Sequence, residues 1–494
     1  MHITLLKHGT TFGLLILFTT LLFGCEPKDP IPTNSLKYND GLATILDESI
    51  YATTMASTFT YDLEDFVEHS SNDFKYINTA IVELDDENTV IYNEVEETDI
   101  YLEDGNLIVH STKKLTLILS GTFHGSVHIY KPDGKLKLVL DGVDITSESG
   151  PAINLQTEKR CFVVLNHNTV NHLEDGTDHP LMLIGTETKA ALFSEEQLII
   201  SGTGELHINA RYKHGIASDD YLRILSGKLF IYSTTSDGLH AKDYLIIDGG
   251  IIDIEAKEDG IEVTKGYVYI NGGITSINAG GDGIKTSYEG TNELIDPFIY
   301  LNNGMIEINA LFEGLKSTSD ITLNHGAMIV ETVDDAVSAV GSIYIVDGLY
   351  YFHSTDKQSL DGDITVTIEG GMLVLYSDGD TAVIESDEGD ILFQGGIIVA
   401  AGPTNFSIGP SQQGYVNCGP VAVLETLNLR DESTIRSIGF LTAYNTVVVS
   451  TPELISGASI DLYSGGAQTG NNFFGLYTSG TYQGGSRIKS LQVN

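Results

Sequence analysis

The sequence predicts an all-β protein wound as a parallel β-helix, and three observations carry that reading. His214-Gly215-Ile216, Asp237-Gly238-Leu239, Asp259-Gly260-Ile261 and Asp282-Gly283-Ile284 recur at steps of 23, 22 and 23 residues. Leu222-Arg223-Ile224, Leu245-Ile246-Ile247 and Val268-Tyr269-Ile270 repeat in the same register, ahead of Ser226-Gly227, Gly249-Gly250 and Gly272-Gly273. Corner glycines at Gly204, Gly227, Gly250, Gly273, Gly304, Gly326, Gly348, Gly371 and Gly396 are separated by 23, 23, 23, 31, 22, 22, 23 and 25 residues. A period of this length, with short alternating strands and glycine at the corners, suits one coil of a β-solenoid. Leucine-rich repeats have a similar period, but their Leu-x-x-Leu-x-Leu frame is absent and no segment carries a 3.6-residue pattern. Equivalent residues of successive coils then form columns spaced about 4.8 Å apart.

Residues 1–24 read as a lipoprotein signal peptide: Lys7 precedes an apolar run from Phe12 to Phe23, and Leu22-Phe23-Gly24-Cys25 resembles a lipobox. Cys25 is then the lipidated first residue, and the chain is exported and held by lipid to a bacterial cell envelope or surface. An ordinary secretory signal is the alternative, and it exports the chain as well. Residues 25–99 read as a stalk and N-terminal lead-in, opening on the proline-rich Glu26-Pro27-Lys28-Asp29-Pro30-Ile31-Pro32, with a short helix considered over residues 62–68.

The β-helix is assigned to residues 100–402. Its first coils, from Leu107-Ile108-Val109 to Ala152-Ile153-Asn154-Leu155, are less regular than those after Ala191. The single step of 31 marks an insertion around Tyr288-Glu289-Gly290-Thr291-Asn292-Glu293-Leu294, read as a candidate wall of a ligand site. From 403 to 494 the period is lost, and strands such as Thr446-Val447-Val448-Val449 read as a C-terminal β cap over the last coil's open edge. Cys161 and Cys418 are left either bridged or simply buried.

The chain has 26 basic and 68 acidic residues, a formal net charge of −42. That balance excludes nucleic acid as a partner, while 41% hydrophobic residues argue for a folded acidic surface rather than a disordered chain. A solenoid grows by adding coils, so a chain of this length can remain one unit, and a monomer is expected.

The run from Ala191-Leu192-Phe193-Ser194 through Gly202-Thr203-Gly204 and Lys213-His214-Gly215-Ile216 to Asp282-Gly283-Ile284-Lys285 resembles a bacterial carbohydrate-binding β-helix family of cellulose-degrading clostridia. Ser120-Gly121-Thr122 and Ser450-Thr451-Pro452-Glu453 are similar to its first coils and its C-terminal strands, so the resemblance spans roughly residues 100 to 490. It implies a right-handed parallel β-helix related to pectate lyases, binding cellulose or acidic plant polysaccharide, with calcium on the coils. The acidic-Gly frame decays after Asp282 to Glu313-Gly314-Leu315, Asp335-Ala336-Val337 and Gln358-Ser359-Leu360, which weakens the case for calcium in later coils.

Asp237, Asp259, Asp282, Glu313 and Asp335 form one acidic column, with His214 at its start. Carboxylates one coil apart repel by roughly 1–3 kcal/mol at dielectric constants between water and a protein surface, and calcium, with six to eight oxygen ligands, answers that array. The competing reading is that Asp-Gly is only the dipeptide the corner requires. Three residues further on stand His240, Glu262, Lys285, Lys316 and Ser338. These suit a bound uronate, or serve to neutralise the column, or supply a lyase with a base at Lys285 or Lys316. Tyr221, Tyr244, Tyr267 and Phe298 form an aromatic column, with Tyr269, Tyr300 and Tyr344 two residues on. In a chain without tryptophan they are candidate platforms for sugar rings, or a purely structural ladder. The combined expectation is a calcium-dependent polysaccharide-binding lipoprotein, with a pectate-lyase-like enzyme and a surface adhesin as alternatives.

Overall fold

The computed structural model describes residues 78–131, 135–180, 187–292, 294–430 and 434–494. Cys25, the proline-rich stretch and the helix considered at 62–68 lie outside the described residues. All regular structure among the described residues is β-strand.

Each regular coil contributes three strands, as in Leu239–Ala241, Tyr244–Ile247 and Ile251–Ala256. Each pairs in parallel, and without slippage, with its counterpart one coil on: Leu239 with Ile261, Leu245 with Val268, and Ile251 with Ile274. Alternation decides what points inward. In Ile251–Ala256 the residues Ile252, Ile254 and Ala256 are buried, and Asp253 and Glu255 face out. Stacking then makes ladders such as Ile224, Ile247 and Ile270 inside the solenoid. The first face is a 13-stranded sheet made of the short strands.

The corner glycines from Gly227 to Gly396 have positive φ, the left-handed conformation that a side chain disfavours. The glycines of the Asp-Gly frame are required for a different reason. A Cβ on Gly260 would lie 2.6 Å from the carbonyl oxygen of Gly283 and 2.3 Å from Ile277 Cγ2. The next coil leaves no room there.

The N-terminal end differs from the expected boundary, and the C-terminal end follows it. Thr79–Leu84 already pairs in parallel with Leu115–His124, so the solenoid sheet begins inside the stretch read as lead-in. At the other end, Thr446–Ser450 closes the edge of Ile397–Gly402 in antiparallel register. The C-terminal strands also pack sideways, because Leu427, Phe473 and Leu476 share a core with Ile329, Tyr351, Val374 and Val399 on the outside of several coils. Cys161 and Cys418 are both free and buried, and burial pushes their thiols up to about 11 and about 12.

Candidate functional site

The five column acids occupy one corner, immediately before the short strands Leu239–Ala241, Ile261–Val263, Ile284–Thr286, Leu315–Ser317 and Val337–Ala339. All five are buried. One oxygen of most of them is committed to the fold: Asp237 Oδ1 accepts from the Asp259 amide at 3.1 Å, and Asp259 Oδ1 from the Asp282 amide at 2.8 Å. Asp282 and Asp335 accept in the same way from Glu313 and Gln358. The acid is therefore a clamp between coils, satisfying an amide that has no strand partner at the corner.

The remaining oxygens meet histidine and lysine side chains. His214 Nδ1 and His240 Nδ1 lie 3.0 and 3.1 Å from Asp237 Oδ2. Lys285 Nζ stands 2.9 Å from Asp259 Oδ2 and 3.1 Å from Glu262 Oε1, and Lys316 Nζ is 2.6 Å from Glu313 Oε1. Burial draws the His240 imidazole down, but Asp237 and Glu262 outweigh it and raise the group to about 9. Burial likewise opposes charge on Lys285, yet Asp259 and Glu262 hold it above the ordinary lysine value. Lys316 is raised against burial by Glu313 and Asp282. Burial, and then the adjacent Glu313, raise the Asp282 carboxyl above its ordinary value.

These charges bear on two sequence expectations. A lyase base has to be neutral at working pH, and the acids that raise Lys285 and Lys316 above the ordinary lysine value oppose that state. The acids from Asp237 to Glu313 do not form a bare array, because histidine and lysine stand among them. Oxygens of Asp237, Asp259 and Glu262 lie within 4.8 Å of one another, but Lys285 Nζ already sits against two of the three. Asp335 is different: no ion pair reaches it among the described residues. Burial, together with Asp361, Asp334 and Glu313, holds its carboxyl up to about 7.

The outer column follows the expected register, with His240, Glu262, Lys285, Lys316 and Ser338 on successive coils. The structure extends it to Asp361 and Glu385. An open cleft of about 370 Å³ runs beside it, bounded by Asp259, Glu262, Asp282, Lys285, Lys316 and Phe312.

The aromatic column is present but differently employed. Tyr221, Tyr244, Tyr267 and Phe298 stack face to face with centroids 4.7, 5.0 and 4.8 Å apart, and Tyr269 stacks on Tyr300 at 4.9 Å. Tyr221 and Tyr269 are only 5% and 2% exposed, so neither is a platform for sugar. Phe162 and Ile199 cover Tyr221, and the Arg160 guanidinium sits 5.8 Å from its ring. The flat faces of Tyr244 and Tyr267 are taken up by their neighbours, which leaves ring edges. Tyr300 has Tyr269 on one side and Thr322 on the other. The column is a structural ladder.

Sequence reasoning missed Phe312, which is 53% exposed at the cleft beside Leu311, 60% exposed. The signal was present: Leu311-Phe312 precedes a column acid where other coils have Lys257-Glu258 or Gly280-Gly281. The insertion after Ile284–Thr286 does not line the cleft, because it leaves the short strand at the end opposite the acids.

A parallel β-solenoid with buried acids at one corner and a charged cleft beside them defines the class of protein. The chain belongs to the carbohydrate-binding domain-containing protein family, whose signature matches residues 103–362. A carbohydrate-binding domain-containing protein of Acetivibrio thermocellus is 33% identical over 93 residues, which cover 19% of this chain and 32% of that protein. The match thus spans about a third of the relative's length. A solved structure described as a polysaccharide lyase-like protein from C. thermocellum, a gadolinium derivative, aligns with a TM-score of 0.42 and 23% identity over 55% of this chain and 100% of that one.

Proposed function

We propose that the protein binds polysaccharide in the cleft beside the outer column, without cleaving it. The observation that carries this reading is that the exposed Phe312 lines the same open cleft as Lys285 and Lys316, an apolar face together with hydrogen-bond donors. Aromatic faces suit the C–H faces of sugar rings, and the lysines and Glu262 suit hydroxyls or a uronate carboxylate. Membership of a carbohydrate-binding family supports the same conclusion.

The net charge of −42 opposes an acidic chain. Binding of a polyuronate therefore calls for calcium to supply positive charge, and Asp335 is the column acid that no ion pair reaches among the described residues. A neutral glucan needs none. Lipid attachment at Cys25 would place the domain on the cell surface.

Affinity gels containing glucans or uronans, run with calcium and with chelator, test this. The expected result is retention of at least one polymer, with Phe312→Ala and Lys316→Ala each weakening it by about tenfold and chelator abolishing only the uronan interaction. Binding unchanged in both variants removes the cleft from the account. Release of unsaturated uronides, read by ultraviolet absorbance, replaces binding with lyase activity.

A further inference from the structure

The open cleft lies at the upstream end of a longer strip of surface. Along the short strands Leu315–Ser317, Val337–Ala339 and Leu360–Gly362 the outward residue is Lys316, Ser338 and Asp361 in turn, paired without slippage. We infer that this strip extends the cleft into a groove along the solenoid axis, and that its ligand is a neutral polysaccharide. The inference rests on the polysaccharide-binding reading above, and it names the class of glycan and the further residues that hold it.

Three features support it. The first is a pair of apolar borders. On the side of the column acids, Leu311 and Phe312 stand exposed, and Val333, one coil on from Leu311, is 44% exposed. On the opposite side, Val340 directly follows Val337–Ala339 and is 54% exposed, and Ile364, in the corner after Leu360–Gly362, is 46% exposed. Upstream coils have Lys257 and Gly280 in the place of Leu311, and Thr264 in the place of Val340, so the fold does not require apolar residues there. Large apolar side chains left in water on both sides of one floor mark a contact surface. The C–H faces of pyranose rings are an apolar partner that carries its polar groups at the rim.

The second is the floor. Ser338 is the smallest side chain of the outer column, and it lies on the coil bordered by Val333 and Val340. Its hydroxyl donates and accepts, and the Asp361 carboxylate accepts, which matches the hydroxyls of a sugar. Coils follow one another at about 4.8 Å, close to the advance of one unit in an extended glycan. Successive sugars then meet equivalent positions of successive coils.

The third is charge, which selects the ligand. Beyond Lys316 the outer column has no cation, since Ser338 is followed by Asp361 and Glu385. Burial, and then Glu385, Asp363 and Asp387, push the Asp361 carboxyl up to about 6, with Lys357 opposing. A uronan laid along the strip adds its carboxylates to this group, on a chain of net charge −42. A neutral glycan brings hydroxyls from which the same carboxylates accept. Lys285 and Lys316 already face Asp259 and Glu313, so they can donate to hydroxyls without calling for an anionic ligand.

The test is affinity electrophoresis of the purified protein in chelator, in gels containing a soluble β-glucan, a galactomannan, polygalacturonate or alginate. At least one of the two neutral polymers should retard the protein, and neither uronan should. Val340→Ser removes part of a border and Ser338→Tyr fills the floor, and each should weaken binding of the neutral polymer by about tenfold. Both side chains lie on the outside of the coil, and a denaturation midpoint equal to the parent's shows that each variant folds. Parent-like retardation of both variants, with Phe312→Ala weakened, overturns the groove and leaves the cleft reading in place. Retardation by either uronan in chelator overturns the choice of a neutral ligand and leaves polysaccharide binding in place. Retardation by none of the four overturns the inference, and the same gels run with calcium then decide the binding reading by themselves.

Discussion

At the scale of single residues, Asp335 is one of the acids whose protonation couples stability to pH. Its folded-state value of about 7 lies above the ordinary 3.8, owing to burial and then to Asp361, Asp334 and Glu313. Between those values the folded protein holds a proton that the unfolded chain has lost. Stability therefore falls as pH rises through that window, by up to about 1.4 kcal/mol for each pH unit crossed. Asp335→Asn keeps the oxygen that accepts from the Gln358 amide and removes the charge. In chelator, this variant is expected to melt higher than the parent above neutral pH and to show a shallower decline. Calcium should raise the melting temperature of the parent by mass action and leave the variant unchanged. Parallel melting curves for the two proteins, with and without calcium, would show that Asp335 neither titrates in this range nor holds the ion.

At the scale of the coil, the inward ladder is what a substitution disturbs most. Ile247 is fully buried between Ile224 and Ile270. Ile247→Asp places an unpaired carboxylate there and is expected to cost more than about 3 kcal/mol, measured as a lowered denaturation midpoint; a midpoint equal to the parent's would contradict the register. This ladder was legible in the sequence because alternation has a period of two and the coil a period near 23, and both leave marks in a single chain. The column acids were legible by the same count. Their roles were not, because whether an aspartate meets a calcium ion, an amide or a lysine depends on distances between coils. The tyrosines show the same limit. Alternation placed them outside correctly, yet facing outward is not exposure when neighbouring rings cover each face. Thr79–Leu84 escaped notice since one strand carries no period.

At the scale of the whole molecule, the proposed anchor and the solenoid combine into a rod fixed at its N-terminal end. Cys25→Ser is expected to move the protein from the membrane fraction to the soluble fraction, because the acyl attachment is lost. Quantitative membrane association of the variant would leave the lipobox reading without support. The C-terminal part was the least legible: its strands are antiparallel and aperiodic, and only tertiary packing shows that they lie along the coils as well as across the end. Phe474 stacks on Tyr351 at 3.7 Å, and its carbonyl accepts from the Tyr376 hydroxyl at 3.0 Å.

That sideways packing has a mechanical meaning. Hydrogen bonds between parallel strands of successive coils run along the solenoid axis, so a pull along the axis loads the coil interfaces in series and the weakest one yields first. The C-terminal strands touch coils from Ile329 to Ala401 at once, and across that length they carry tension in parallel with the coil interfaces. They act as a splint on the distal third of the rod, so a tug on a polymer held in the proposed cleft would be borne by the coils upstream of it, between the cleft and the proposed tether.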